Sequence, residues 1–297
     1  MLKKIKYQHQ ILTYICFMKT SYVKTLFFLF IFCATVLHAQ SIEYLALDQE
    51  FKIGNTYPLF GDNVNLRAAP NTSSKEMTRL RIGFNVTILA KTDIIFENGN
   101  HKMPWYKVQY NNLKGYIPGQ FIASKSIKKE AQSFYFRKHT SKKNREELLI
   151  RMVTGTSYHA YSESSMQLYG ASVAAFIEDN HQLYNVQHIL RIQHYGDSCG
   201  AENGNTYFFI NDVNELVFVA HLSVSGDALY SESETFTFTT NPANEQPSIL
   251  FTKEVSDTVD EVTGWTESKS MSRYYEWNGT KLVPEFSKEF YKRKTAN

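Results

Sequence analysis

Apolar and polar residues alternate in several short runs between residues 59 and 124. In the run NVTILA at 85–90 and the run WYKVQY at 105–110, every second side chain falls on the same face of an extended chain. A period of two is typical of half-buried β-strands. The asparagine pair at 111–112 supplies a turn, and the run GYIP begins another strand. The pattern therefore predicts a group of short, connected strands.

The segment GDNVNLRAAP shows how one of these strands ends. Val64 and Leu66 are expected to face the core, and Asn65 and Arg67 the rim. Pro70 follows two alanines. Because proline has no N–H and fixes φ at about −65°, it cannot continue a ladder of hydrogen bonds. The strand is therefore predicted to turn into the polar run NTSSKEM.

The segments VNLRAAP, IGFNVTIL, WYKVQY and GYIPGQFI, in this order, resemble a bacterial Src-homology-3-like domain over residues 59–124. The resemblance implies a small, partly open β-barrel. It also implies a binding role, because such domains often tether exported proteins to cell wall or to peptide ligands. The insert TDIIFENGNHKM at 92–103 departs from the usual pattern of the family, so the loop geometry there is left open.

Three residues of this stretch are candidates for ligand binding: Arg67, Trp105 and Tyr116. Aromatic rings beside a guanidinium can hold a peptide or a cell-wall glycopeptide. The alternative is that the two aromatic side chains fill the core and that Arg67 is a structural rim residue. No residue of this stretch supplies a catalytic group.

The position of Trp105 follows from the alternation in WYKVQY. Val108 is the residue of this run with the strongest preference for the core, so Tyr106 and Tyr110 are expected to share its inward face. Trp105 is then expected at the exposed rim, beside the strand that carries Arg67. The alternative is that the insert at 92–103 covers the indole.

Residues 152–297 contain further strand-like runs separated by turn signals. The runs are LYGASVAAFI, QLYNVQHILRIQHY, TYFFIN, ELVFVAHLSVS, TFTFTT, SILFTKEV, SRYYEW and KLVPEF. The clearest hairpin is predicted at Trp277–Thr280, because Asn-Gly suits a type I′ turn. The predicted fold class is therefore all-β, with a small Src-homology-3-like barrel followed by a larger antiparallel meander or sheet domain.

The charge of the chain changes sign after the barrel. Residues 125–151 carry a formal charge of +6, whereas residues 152–297 carry −10. Such a change indicates a domain boundary. Leu148, Leu149 and Met152 follow one another at roughly helical spacing. The segment 125–151 is therefore predicted to be a basic linker that ends in a short amphipathic helix.

Residues 1–39 have the pattern of a secretory signal peptide. Two lysines precede the apolar run LFFLFIFCATVL, which is shorter than the ~20 residues needed to span a bilayer. Cleavage is expected before Gln40, and an uncleaved anchor is the alternative. Residues 1–17 are interpreted as an upstream extension, with Met18 the better start of the signal. Residues 40–58 then lead into the barrel.

Removal of the signal peptide takes away five lysines and no acid, so the formal net charge changes from +3 to −2. A basic nucleic-acid-binding protein is therefore not indicated. Membrane contact is expected only through the signal peptide before cleavage. No cofactor or metal site is predicted, because no pair of histidines has zinc spacing and no acidic run has the spacing of a Ca²⁺ loop. A Ca²⁺ site formed by the oxygens of Asp197, Glu202, Asn203 and Asn205 is the less favoured alternative for the acidic domain.

Cys199 is the only cysteine that remains after cleavage, so no intrachain disulfide can form. It lies in HYGDSCGAENG, with His194 nearby and His221 later in the chain, an arrangement similar to that of papain-like wall endopeptidases. That family has Asp directly before Cys and a helix after it, whereas here Ser198 intervenes and a turn and a strand follow. The favoured interpretation is an inert, buried thiol, and a divergent cysteine hydrolase is the alternative.

These observations predict a non-enzymatic protein that is exported to the periplasm or beyond and binds or tethers at the bacterial cell envelope. Its expected partner is a peptide or a cell-wall glycopeptide. The alternatives are a wall hydrolase that uses Cys199 and a purely structural envelope component. The role of residues 152–297 and the oligomeric state are left open.

Overall fold

A computed structural model describes residues 42–47, 50–99, 101–155, 160–169 and 172–289. The predicted signal peptide lies outside these residues. Apart from one 3-10 turn at Gly119–Phe121, the regular elements of the described residues are β-strands, all paired antiparallel. The all-β fold class predicted from the sequence is therefore confirmed.

The first six strands form one antiparallel sheet, here called the front barrel, in the order β1-β4-β5-β6-β2-β3. The strands are β1 (Thr56–Pro58), β2 (Val64–Arg67), β3 (Glu76–Leu80), β4 (Asn85–Asn98), β5 (His101–Tyr110) and β6 (Leu113–Pro118). Their apolar side chains meet in a single core that includes Leu66, Ile88 and Val108. A sheet can gather these strands around one core only if it bends, so the partly open barrel is confirmed.

The insert at 92–103 prolongs β4 and β5 beyond the front barrel, and we call these strand ends the arm. Two irregularities in the pairing of β4 with β5 lie at Ile88/Ala90 and at Lys91/Ile95. Bulges of this kind bend a strand and re-aim its side chains. The arm is thus an ordered hairpin extension of the barrel.

The next four strands form the middle sheet, in the order β10-β9-β8-β7. The strands are β7 (Lys125–Lys129), β8 (Gln132–Thr140), β9 (Glu146–Thr154) and β10 (Ser162–Gln167). The linker with a short helix predicted at 125–151 is therefore wrong. The runs FYF in β8 and LLI in β9 are unbroken apolar stretches, which is typical of strands buried on both faces. The domain boundaries drawn from the sequence stay predictions.

The last eight strands form the large sheet, in which every strand pairs with the next along the chain. The strands are β11 (Ser172–Asp179), β12 (His188–Tyr195), β13 (Asn203–Ile210), β14 (Leu216–Gly226), β15 (Tyr230–Thr240), β16 (Pro247–Asp260), β17 (Trp265–Trp277) and β18 (Leu282–Val283). The predicted meander is confirmed. Phe209 on β13 meets Trp277 on β17 with ring centroids 4.9 Å apart, although three strands lie between them. The large sheet is therefore curled around its own core.

The middle sheet packs on both other sheets. Phe134 and Phe136 lie in a core shared with Phe208 of the large sheet. Tyr135, which points the other way, lies in a smaller core with Phe60, next to the front barrel. The described residues from Glu43 onwards accordingly belong to one compact unit.

The hairpin predicted at Trp277–Thr280 is present, but its loop is longer than expected. Trp277 pairs with Leu282, so four residues connect β17 to β18. The Oδ1 atom of Asn278 accepts hydrogen bonds from the backbone N–H groups of Thr280 and Lys281, which stabilises the longer loop. The longer loop also lets Leu282 reach the core of the large sheet.

We expect Gly204→Ala to destabilise the protein by more than about 2 kcal/mol. Gly204 has φ +125°, and a Cβ atom there would lie 2.1 Å from the backbone oxygen of Leu222 on the neighbouring strand. The matched control is Gly264→Ala, at φ +69° with open space around it, which should cost only about 1–2 kcal/mol. Denaturant unfolding of both variants measures the difference. Equal losses would show that the close approach of β13 to β14 is not a constraint.

Candidate functional site

Arg67 lies at the end of β2 and is engaged by its own hairpin. Its Nη1 donates to the backbone oxygen of Ser74 at 2.7 Å, and its Nη2 lies 3.5 Å from the Glu76 carboxylate. The guanidinium therefore holds the loop between β2 and β3. This is the structural role that the sequence left open as an alternative.

Tyr116 is half-buried on β6 and lies directly opposite Arg67 in the pairing of β2 with β6. On its other side it pairs with Lys107 of β5. Residues that face each other across neighbouring strands share one face of a sheet, so the structure brings Arg67 and Tyr116 together. Contact of either residue with a ligand stays a prediction.

The expectation that Trp105 is exposed at the rim is wrong, because its exposed fraction is 2%. The inward orientation of Tyr106 and Val108 is confirmed, so Trp105 does lie on the opposite face. That face is covered by the arm: the ring of Phe96 packs edge-on against the indole at 5.6 Å, and the Thr92 hydroxyl donates to the Trp105 carbonyl oxygen at 2.9 Å. Buried in this way, Trp105 offers no surface to a ligand.

A cleft of about 660 Å³ lies between the arm and the middle sheet. The barrel side contributes Ile95, Met103 and Tyr106, and the N-terminal lead-in contributes Phe51. The opposite wall is the end of β8, from Arg137 to Thr140. The sequence did not indicate this cleft, because its walls come from four separate segments of the chain.

The two sides of this cleft differ in how their charged side chains are paired. Lys91 is paired with Glu50, and that hydrogen bond raises the pKa of Lys91. Arg137 is buried, and its charge has no carboxylate partner among the described residues. Burial and then the neighbouring charge of Arg151 lower the pKa of Arg137 to about 10. Burial and then the charge of Arg137 also lower the pKa of His139. The β8 wall is therefore electropositive.

A second polar cluster lies in the large sheet, where four side chains form one hydrogen-bonded chain. His194 contacts the Tyr169 carbonyl oxygen through Nδ1 (3.1 Å) and the Thr206 hydroxyl through Nε2 (3.0 Å). The same hydroxyl lies 2.8 Å from Nδ1 of His221, whose Nε2 lies 2.7 Å from Glu202. When His194 is neutral and donates from Nδ1 to the Tyr169 carbonyl oxygen, its Nε2 accepts the hydrogen bond of the Thr206 hydroxyl.

The pKa of His194 is lowered to about 4, chiefly by burial of the imidazole and further by the charge of His221. The hydrogen bond to the Tyr169 carbonyl opposes this shift by raising the pKa. His194 is therefore neutral in the folded protein at neutral pH. The cluster brings together two histidines that the sequence singled out, but it joins them through Thr206.

Cys199 is exposed, so the expectation of a buried thiol is wrong. It lies in the turn between β12 and β13, where Gly200 and Ala201 are held by backbone hydrogen bonds. Throughout the described part of the chain no hydrogen bond joins the thiol to a histidine. A cysteine nucleophile needs such a partner or a helix N-terminus, and neither accompanies Cys199 in the described ranges.

Among the described residues, no group of three or more His, Cys, Asp or Glu side chains is placed to hold a metal ion. In the same part of the chain, no helix has the length and apolarity required to cross a bilayer.

Comparison with known protein families identifies one part of the chain. Residues 62–123 match the family model described as Bacterial SH3 domain. The match covers β2 to β6 of the front barrel, and the region that follows has no family match. No curated protein and no solved structure matches the chain. The resemblance stated from the sequence is confirmed for the front barrel.

We expect Trp105→Ala to lower the free energy of unfolding by about 3–5 kcal/mol, as for other large core truncations. The reason is the loss of the packing between the indole and the arm. Trp265→Ala is the matched control, because Trp265 is 63% exposed and should change stability by less than about 0.5 kcal/mol. Denaturant unfolding measures both. A small loss at Trp105 would mean that the arm opens in solution.

The low pKa of His194 predicts a stability that falls in acid. Unfolding restores a pKa near 6.5, so the unfolded state binds a proton first as the pH falls below that value. The contribution of neutral His194 to the free energy of unfolding is fully present above pH 6.5. It decreases by on the order of 3 kcal/mol as the pH falls to about 4.

His194→Gln should make the free energy of unfolding less dependent on pH between 6.5 and 4, since the amide can hydrogen-bond but does not titrate. His181→Gln is the control, because His181 is exposed. The measurement is the free energy of unfolding at several pH values between 7 and 4.5. The interpretation is contradicted when wild type and His194→Gln lose stability equally over this range.

Proposed function

We propose that this is an exported protein without catalytic activity that binds at the bacterial cell envelope through its front barrel. The observation that carries the proposal is the match of residues 62–123 to the bacterial SH3 domain family. Domains of this family commonly bind peptides or cell-wall components. The ligand proposed here is a peptide or a cell-wall glycopeptide.

Export is supported by the sequence of residues 1–39, with its lysine flank, apolar run and Ala39. Cleavage before Gln40 would leave a chain of slightly negative formal charge, which favours neither nucleic acid nor an anionic membrane surface as partner. N-terminal sequencing of protein recovered from the periplasm or the medium tests this part of the proposal.

A binding role without catalysis is supported by the surroundings of the candidate nucleophile. Cys199 is exposed in a turn, and in the described residues its thiol has no histidine partner. The two histidines that could have served it share the hydroxyl of Thr206, which is itself buried. The cysteine hydrolase therefore remains the less favoured alternative, and Cys199→Ala tests it directly.

We expect the mature chain to be retained on purified peptidoglycan, and Tyr116→Ala to weaken this retention about tenfold, as for an aromatic anchor. Tyr116 is the half-exposed aromatic candidate that remains on the barrel face next to Arg67. Tyr184→Ala is the matched control, because Tyr184 is 74% exposed and lies between β11 and β12 of the large sheet. The measurement is a sedimentation binding curve, with melting temperatures recorded in parallel.

Two outcomes would count against the proposal. A wild-type chain that is not retained on peptidoglycan defeats the envelope-binding role. Equal retention of Tyr116→Ala and Tyr184→Ala defeats the assignment of the ligand to the barrel face.

A further inference from the structure

We propose that the cleft between the arm and the middle sheet binds the free carboxylate of a short peptide, and that Arg137 is the residue that holds it. The peptide nature of the ligand rests on the proposed function. The inference that the ligand presents a carboxylate rests on the charges and burial of the residues that line the cleft. Arg137 lines this cleft from β8 and is only 9% exposed.

Among the described residues, the other fully buried charge is paired. Glu234 is held between Lys253 and Lys288 and accepts the backbone N–H of Ser223. Arg191, which is partly buried, is likewise paired with Glu178. This is the usual rule, because a buried charge without a partner is costly.

Arg137 departs from this rule. Within the described ranges its guanidinium forms no ion pair and donates no hydrogen bond. Its Cζ atom lies 6.0 Å from the centroid of the Phe60 ring, and the like charge of Arg151 acts on it. Arg151 is itself balanced by Glu163. A buried guanidinium whose donors have no partner among the described residues, with a cleft in front of it, is arranged to receive an anion.

The remaining charged side chains that the structure describes in the cleft do not provide that anion. Glu50 is engaged by Lys91, and the charge of Asp93 also acts on Lys91. On the β8 wall, Lys138 is paired with Glu146. A ligand that brings its own negative charge would therefore meet an uncompensated cation at Arg137.

The walls beside Arg137 define the rest of the ligand. Phe51, Met103 and Tyr106 offer apolar surface, and about 660 Å³ has room for a peptide of a few residues. The planar fork of an arginine matches the two oxygens of a carboxylate. A carboxylate carries one negative charge and neutralises Arg137, whereas a dianionic phosphate would leave excess charge against apolar walls.

The ionisation of Arg137 agrees with this arrangement. Burial, reinforced by Arg151, lowers the pKa of Arg137 to about 10. A bound carboxylate would raise that pKa, so ligand binding and full charge on Arg137 favour each other. The site therefore gains electrostatic stabilisation when the ligand enters.

The experiment titrates the mature chain, by NMR chemical-shift perturbation, with trialanine that has a free C-terminal carboxylate and with its C-terminal amide. We expect the acid to bind at least about tenfold more tightly than the amide. Arg137→Gln should remove this preference and leave binding of the amide unchanged, and Arg137→Lys should restore it in part. Arg79→Gln is the matched control, since Arg79 is exposed on the front barrel.

Thermal unfolding without ligand separates a binding role from a structural one. Because Arg137 has no carboxylate partner in the described part of the chain, Arg137→Gln should leave the melting temperature unchanged or raise it. A lower melting temperature would show that Arg137 serves the fold and would overturn the proposal. Equal binding of acid and amide, or tighter binding of inorganic phosphate than of the acid, would overturn it as well.

Retention on peptidoglycan distinguishes this inference from the proposed function. Wild type that is retained on peptidoglycan but does not discriminate trialanine from its amide defeats the carboxylate site and leaves the proposed function standing. Wild type that discriminates the two peptides but is not retained defeats the proposed function and leaves the carboxylate site standing.

Discussion

The two central strands of the middle sheet, β8 and β9, are buried on both faces, and the rest of the structure depends on this double burial. Phe134 and Phe136 enter the core of the large sheet, while Tyr135 enters the contact with the front barrel. Three consecutive large side chains can be buried in this way only on an extended strand covered from both sides. Without β8, the large sheet would expose one apolar face and the barrel would lose its support.

The same alternation fixes the position of Arg137. It follows Phe136 on β8, so it must point to the barrel side, where Tyr135 also points. A charge at this position is costly for a strand that is otherwise apolar on that face. Residues that reduce stability without an evident structural return are concentrated at functional sites. The pairing of buried Glu234 with Lys253 and Lys288 shows that the fold can satisfy a buried ion elsewhere.

The front barrel and the meander could be read from the sequence because their signals are local. Alternation in WYKVQY placed Tyr106 and Val108 inside correctly, and the Asn-Gly pair placed a hairpin after β17. The middle sheet was missed because the lysines and arginines around it suggested a solvated linker. In the structure Arg151 pairs with Glu163 and packs over Phe60. Contacts of this kind join residues that are distant along the chain, so they leave no periodic pattern in the sequence.

The arm explains why the candidate site could not be located from the sequence. Because the geometry of the insert was not predictable, the sequence left open whether the Trp105 side chain is exposed or covered. In the structure it is covered: Phe96 packs against the indole, and Thr92 donates a hydrogen bond to the Trp105 carbonyl oxygen. The strands that cover the indole also form one wall of the cleft that faces Arg137. A shorter hairpin would expose Trp105 and open that cleft to solvent. The departure from the usual family pattern therefore both removes an aromatic residue from the barrel surface and supplies one wall of the cleft whose other wall carries Arg137.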